Sequence, residues 1–187
     1  DLSGSKLVAD GRRSDENFYY KYYEGSYENY GAIINFIGAD LAHADLRGSE
    51  LIAKNSYGDA TIDFSGANLT HADLSGSTLM ASSSYSDGKA SIDFSGASLV
   101  HADLSGSVLT ARGNASATID FSEASLINAD LSSSFLTAGS SNGHATIDFT
   151  DADLASSDLS RWLPTAYGRK SSTIDGLGQR GQHISPL

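Results

Sequence analysis

Three histidines, His43, His71 and His101, recur 28 and 30 residues apart, and Asn128 and Ser156 follow at the corresponding places. Aspartates recur in the same way: Asp45, Asp73, Asp103, Asp130 and Asp158 form one set, and Asp63, Asp93, Asp120 and Asp148 another. If the repeats stack, the imidazoles come within reach of one metal ion. The carboxylates then form columns spaced by about 4.8 Å. Neighbours in such a column repel by about 0.9 kcal/mol at water's dielectric. The plainer readings compete with cation binding. A corner histidine can simply be solvated, and an outward aspartate can serve turn geometry while counterions screen it. No EF-hand loop or glycine-rich nonapeptide calcium repeat accompanies the carboxylates. Since acidic groups recur in register everywhere, no pair stands apart as an acid and its base. Walker and HExxH patterns are missing from the sequence. The expectation is a chain without enzymatic activity and without a cofactor.

What would position these residues is a repeat. Ile-Asp-Phe, once Ile-Asn-Phe, occurs at residues 34–36, 62–64, 92–94, 119–121 and 147–149, at intervals of 28, 30, 27 and 28. After each triplet a large apolar residue returns every fifth position. The series are Phe36, Leu41, Leu46, then Phe64, Leu69, Leu74, then Phe94, Leu99, Leu104. They continue as Phe121, Leu126, Leu131 and end as Phe149, Leu154, Leu159. Small or β-branched residues stand two places before each. Alternation at i and i−2 is the strand period, so both point inward and the residue between points out. Period five does not serve a helix. Two nested periods mark a solenoid, with four five-residue sides to a turn and a surplus of roughly eight residues bulging at one corner. Stacked coils would put Phe on Phe and Leu on Leu, each burial contributing about 1.5–3 kcal/mol.

The units Ala39-Asp40-Leu41, Ala44-Asp45-Leu46, Ala67-Asn68-Leu69, Ala72-Asp73-Leu74 and Ala102-Asp103-Leu104 resemble the pentapeptide-repeat family, A(D/N)LXX. The resemblance covers about residues 36–160. It implies an all-β fold, a right-handed four-sided parallel β-helix of about five to six coils. Two departures are visible: the recurrent corner insertion, and Ile instead of Ala at the inner small position of side one, which implies a wider or distorted face.

Both ends carry information. The stretch 1–9 matches 73–81, so the chain is expected to begin in mid-coil, with further residues upstream. A long insertion, 10–33, contains Tyr19, Tyr20, Tyr22, Tyr23, Tyr27 and Tyr30, six of the nine tyrosines. Tyrosine is enriched at binding patches, so this arm is a candidate partner surface; buttressing of the rod is the competing reading. The solenoid is placed at 34–160 and a cap with a basic tail at 161–187. There Arg161, Trp162, Arg169 and Lys170 could dock on an acidic neighbour or an anionic membrane surface, and Trp162 with Leu163 is expected to cover the last coil.

Net charge is −11, divided as −2 over residues 1–35, −12 over 36–160 and +3 over 161–187. An acidic rod argues against direct nucleic-acid binding and favours a basic partner. With no cysteine, disulfides and thiol chemistry are excluded. No apolar run reaches the roughly 20 residues of a helical membrane span. The resulting expectation is a scaffold or interaction subunit of a larger assembly, in contact with protein partners and peripherally with a membrane complex. An exported or organellar setting is favoured, the thylakoid lumen being one in which the family occurs. Two alternatives stand beside it: a DNA-mimic modulator of a type II topoisomerase, which the resemblance implies, and a secreted adhesin or surface protein.

Overall fold

The computed structural model describes residues 2–10 and 31–177. Its twelve strands are β1 (Lys6–Asp10), β2 (Ala32–Asn35), β3 (Glu50–Asn55), β4 (Ala60–Asp63), β5 (Thr78–Ser83) and β6 (Lys89–Asp93), followed by β7 (Val108–Gly113), β8 (Ser116–Asp120), β9 (Phe135–Ser140), β10 (His144–Asp148), β11 (Leu163–Gly168) and β12 (Ser171–Asp175). All odd strands form one parallel sheet, in the order β1-β3-β5-β7-β9-β11, and all even strands form a second, β12-β10-β8-β6-β4-β2. We call them the odd and even sheets. Equivalent residues sit directly above one another: Leu51 pairs with Leu79 and Leu79 with Leu109, while Ile62 pairs with Ile92 and Ile92 with Ile119. The fold is a parallel β-solenoid.

The other two sides are narrow, one bridging residue per coil. Asp40, Asn68, Ser98, Ser125 and Asp153 form one ladder; Asp45, Asp73, Asp103, Asp130 and Asp158 form the other. Corners between these sides are tight turns. The Ala67 N–H donates to the Phe64 carbonyl at 3.0 Å, Ala72 to Leu69 at 2.9 Å and Ser77 to Leu74 at 3.1 Å. The third residue of each turn has positive φ: Gly66 at 62°, His71 at 58° and Gly76 at 63°. That is the type II requirement, and glycine meets it without strain.

Inside, like meets like. The rings of Phe36, Phe64, Phe94, Phe121 and Phe149 stack at 4.8–4.9 Å. Leu69, Leu99 and Leu126 are wholly buried, as are Leu74, Leu104 and Leu131 to within 2 %. At the ends Phe36, Leu41 and Leu159 are half-buried against the same core.

The surplus residues do not bulge as a corner loop. They lengthen sides four and one into the two sheets, whose inner faces continue as alanine. Ala53, Ala81, Ala111 and Ala138 line the odd sheet, and Ala60, Ala90, Ala117 and Ala145 the even one, each at most 1 % exposed. The coil is a square drawn out into a thin two-sheet fin. Differences in repeat length fall in the tip turns alone, at 56–59, 84–88, 114–115, 141–143 and 169–170. Inside the tip the Ser83 hydroxyl donates to the Gly58 carbonyl at 2.6 Å, and the Asn55 amide to the Asp59 carbonyl at 2.9 Å. A Cβ on Gly113 would stand 1.7 Å from the Ser116 carbonyl oxygen, so the backbone crosses the tip where a side chain cannot fit.

Strands β11 and β12 carry both sheets on through Asp175, so residues 161–175 extend the solenoid into what the repeat alone marks as cap. Leu163 points outward and is 51 % exposed, so it does not cover the last coil; Trp162, 8 % exposed, does.

Candidate functional site

The outward aspartates are held by their own corners. Asp63 accepts the Ser65 N–H at 2.9 Å, Asp73 that of Ser75 at 3.0 Å, Asp93 that of Ser95 at 2.8 Å and Asp103 that of Ser105 at 2.8 Å. Asp120, Asp130, Asp148 and Asp158 repeat the pattern at 2.7–2.8 Å. Each carboxylate bridges to the N–H two residues on, an Asx-turn. Turn geometry therefore accounts for aspartate at these positions, and the charge remains on the surface. The Ser160 N–H lowers the Asp158 pKa below the ordinary value. Arg47 does more to Asp45. Its guanidinium grips the carboxylate through Nε at 2.9 Å and Nη2 at 2.5 Å, and that contact lowers the Asp45 pKa to about 2.

His43, His71 and His101 do come together. Their rings stack with centroids 5.0 and 4.8 Å apart and planes within 5° of parallel. All three are exposed and lie at positive φ, at 59°, 58° and 57°. Imidazole lone pairs lie in the ring plane, so parallel stacked rings do not converge on one ion. Among the described residues no group of three or more His, Cys, Asp or Glu is placed to hold a metal.

Of the residues expected to meet partners, Tyr19, Tyr20, Tyr22, Tyr23, Tyr27 and Tyr30 lie outside the described residues. Arg161 is exposed at the corner before β11, with φ 56°. Arg169 and Lys170 are exposed on the tip turn after it. Trp162 departs from that expectation. Its indole meets the Phe149 ring edge-on at 5.4 Å and 87°, closing the phenylalanine stack. It is a core residue, because the coil beneath presents an aromatic ring that needs cover.

The surface feature that spacing alone did not single out is the outer face of the odd sheet. Three columns run along it. One holds Lys6, Glu50, Thr78, Val108, Phe135 and Leu163; the central one holds Val8, Ile52, Met80, Thr110, Thr137 and Thr165. The third holds Asp10, Lys54, Ser82, Arg112, Gly139 and Tyr167. Phe135 is 47 % exposed, Leu163 51 % and Tyr167 49 %. The Tyr167 ring lies over Gly139, where a Cβ would stand 2.3 Å from Cζ. A signal for this face existed: Val108 and Phe135 precede the inward Leu109 and Leu136, at the outward position that Lys6, Glu50 and Thr78 hold in the earlier repeats.

Charge is segregated with it. Lys6, Lys54 and Arg112 lie on this face, and Arg161, Arg169 and Lys170 on the turns beside it. Among the described residues the only acidic groups on the face are Asp10 and Glu50, and Glu50 pairs with Lys6 at 2.5 Å. The even sheet carries one aspartate column and one narrow side the other, while the second narrow side has Asp40 and Asp153 with Asn68, Ser98 and Ser125 between them.

The family model for pentapeptide repeats matches residues 62–83 and 91–111, with 8 copies of the repeat. No curated protein matches the chain. Similar solved structures include a pentapeptide-repeat protein from the thylakoid lumen of Arabidopsis thaliana, 24% identical over 67% of this chain and 68% of that one, with a TM-score of 0.18. Another, from the cyanobacterium Cyanothece, is 18% identical over 73% of this chain and 91% of its own, with a TM-score of 0.24. HetL of the cyanobacterium Nostoc, a pentapeptide-repeat protein involved in heterocyst differentiation regulation, is 22% identical over 70% and 69%, with a TM-score of 0.16.

Proposed function

We propose that this chain, whose coils are built of pentapeptide repeats, is a rigid non-enzymatic scaffold that meets its partners with flat faces. The observation that carries this reading is the divided surface: an apolar and basic outer face on the odd sheet, and aspartate columns on the even sheet and one narrow side. Large exposed apolar side chains on an extended face mark interaction sites. The face is also rigid, since every strand on it except the outermost is hydrogen-bonded on both edges. Acidic columns would steer a basic partner or repel an acidic one. Both kinds of contact need shape held constant over many coils, which register stacking supplies.

The test is crosslinking in the native cell, comparing the parent with Phe135→Asp/Leu163→Asp on the odd sheet and Thr118→Lys on the even one. Odd-sheet changes should strip specific crosslinked proteins while leaving the thermal melt near the parent's. If the same proteins crosslink to all variants, partner binding by the odd-sheet face is wrong. The topoisomerase reading keeps one supporting observation, the aspartate columns in register. The fin breaks the outline of a DNA-like cylinder, and a gyrase supercoiling assay with no effect at micromolar protein would remove it.

A further inference from the structure

We infer that the odd-sheet face packs against the same face of a second copy, with the two solenoids side by side and parallel. This rests on reading that face as a contact surface, and it names what covers it.

The argument is self-complementarity about the central column. A two-fold axis running along Val8, Ile52, Met80, Thr110, Thr137 and Thr165 places each strand against the same strand of the partner, reversed. Residues four apart in one strand then face each other. On β1, Lys6 meets the other copy's Asp10; on β3, Glu50 meets its Lys54. Within one copy Lys6 already neighbours Glu50, and Asp10 neighbours Lys54 in register. The two copies thus complete a checkerboard of the four charges on β1 and β3, each beside unlike ones, while Arg112 gains no acidic counterpart. On β7, Val108 meets the aliphatic stem of Arg112. On β9, Phe135 meets Gly139 and the Tyr167 ring that covers it, and on β11, Leu163 meets Tyr167.

The antiparallel alternative fails the same inspection. It sets Lys6 opposite Leu163, Glu50 opposite Phe135 and Lys54 opposite Gly139, burying charges without partners. Charge favours this face for another reason. The chain carries a net −11, and the even sheet and one narrow side present aspartate columns that repel a second copy, while the remaining narrow side is only one bridging residue wide per coil.

The size of the face sets the expected strength. Six strands about 4.8 Å apart, each with about five residues of 3.3 Å, cover about 500 Å² per copy. Roughly 1,000 Å² in all is the low end of specific interfaces. Association should therefore be reversible and concentration-dependent.

Sedimentation velocity of the whole chain tests it, over about 1 to 200 μM, the range in which an interface of this size gives measurable dissociation. The mass should rise from 19.5 kDa toward twice that value. Glu50→Lys should weaken association at least about tenfold, and Lys54→Glu in the same chain should recover part of it. Register is tested separately, because the chain has no cysteine of its own. Thr137→Cys faces its own counterpart across a sheet spacing of about 10 Å, so a short thiol-to-thiol linker should give covalent dimer. Thr118→Cys, on the even sheet, should not. A mass that stays monomeric, or equal crosslinking at both positions, overturns the second copy as occupant. In that case the reading of the face as a contact surface stands or falls on whether Phe135→Asp/Leu163→Asp strips other proteins in the cell.

Discussion

At the scale of single residues, the corners decide more than the charges. Nine described non-glycine residues have positive φ: His43, His71, His101, Glu123, Asn128, Ser133, Asp151, Ser156 and Arg161. A side chain there costs about 1–2 kcal/mol, while glycine gives back part of that through its unfolded-state freedom. Ser133 occupies the corner that Gly76 and Gly106 occupy in earlier coils. Ser133→Gly should therefore raise stability by about 0.5–1 kcal/mol, and Gly106→Ser should lower it by a similar amount. Thermal melts that move in the same direction for both changes would refute the strain argument. Arg47 and Asp45 make a second case. A carboxyl depressed to about 2 stabilises the fold above its ordinary 3.8, and that contribution fades as pH falls from 3.8 through 2. In Arg47→Ala the carbon-13 titration of Asp45 should return toward 3.8, and the stability difference from the parent should close as pH approaches 2. An Asp45 titration unchanged by the substitution would show that the backbone N–H of residue 47, not the guanidinium, holds it down.

At the scale of the element, the fin is the part of the fold that the five-residue period hides. The Phe and Leu ladders, the inward and outward assignments and the pairing of Leu7 with Leu51 were all readable, because period five and period two coincide on each side. Because the surplus residues break period five, the repeat alone marks them as a corner bulge. Yet Leu51-x-Ala53 and Ala60-x-Ile62 keep period two, as do Leu79-x-Ala81 and Ala90-x-Ile92. That alternation is the mark of two sheets running on past the square. The apolar outer face was hidden for a related reason: its residues share no single type, only parity. Alanine is what lets the sheets close on each other, which makes a prediction. Ala111 is fully buried, and Ala111→Leu should cost at least about 1–3 kcal/mol by overpacking, since parting the sheets would also open the tip hydrogen bonds. Leu104→Ala, at the wide end, should cost about 2–5 kcal/mol through a cavity instead. If Ala111→Leu melts like the parent, the two inner faces are not in contact.

At the scale of the whole molecule, a stack of identical coils has no intrinsic stopping point, so its end must be made different. The phenylalanine column runs from Phe36 to Phe149 with rings nearly parallel and 4.8–4.9 Å apart. A sixth parallel ring would offer a seventh its face. Trp162 instead turns its plane 87° to Phe149 and covers the ring while presenting no matching face. Gly176 holds the place where the next phenylalanine would fall in register, at φ 81°, and a Cβ there would stand 2.1 Å from the Phe149 carbonyl carbon. The end is therefore closed twice, by a perpendicular ring and by a residue that cannot carry one. Trp162→Ala removes the first closure. It should cost about 3–5 kcal/mol and expose Phe149 as an apolar end, seen as binding of a hydrophobic dye and as growth of large species in light scattering. Trp162→Phe separates cover from polarity. The indole Nε1 is buried with no hydrogen-bond partner, so a phenyl ring in its place sheds an unsatisfied donor. That variant should melt within about 1 kcal/mol of the parent and stay free of large species, whereas aggregation as strong as in Trp162→Ala would mean that the end is protected by something other than an aromatic lid.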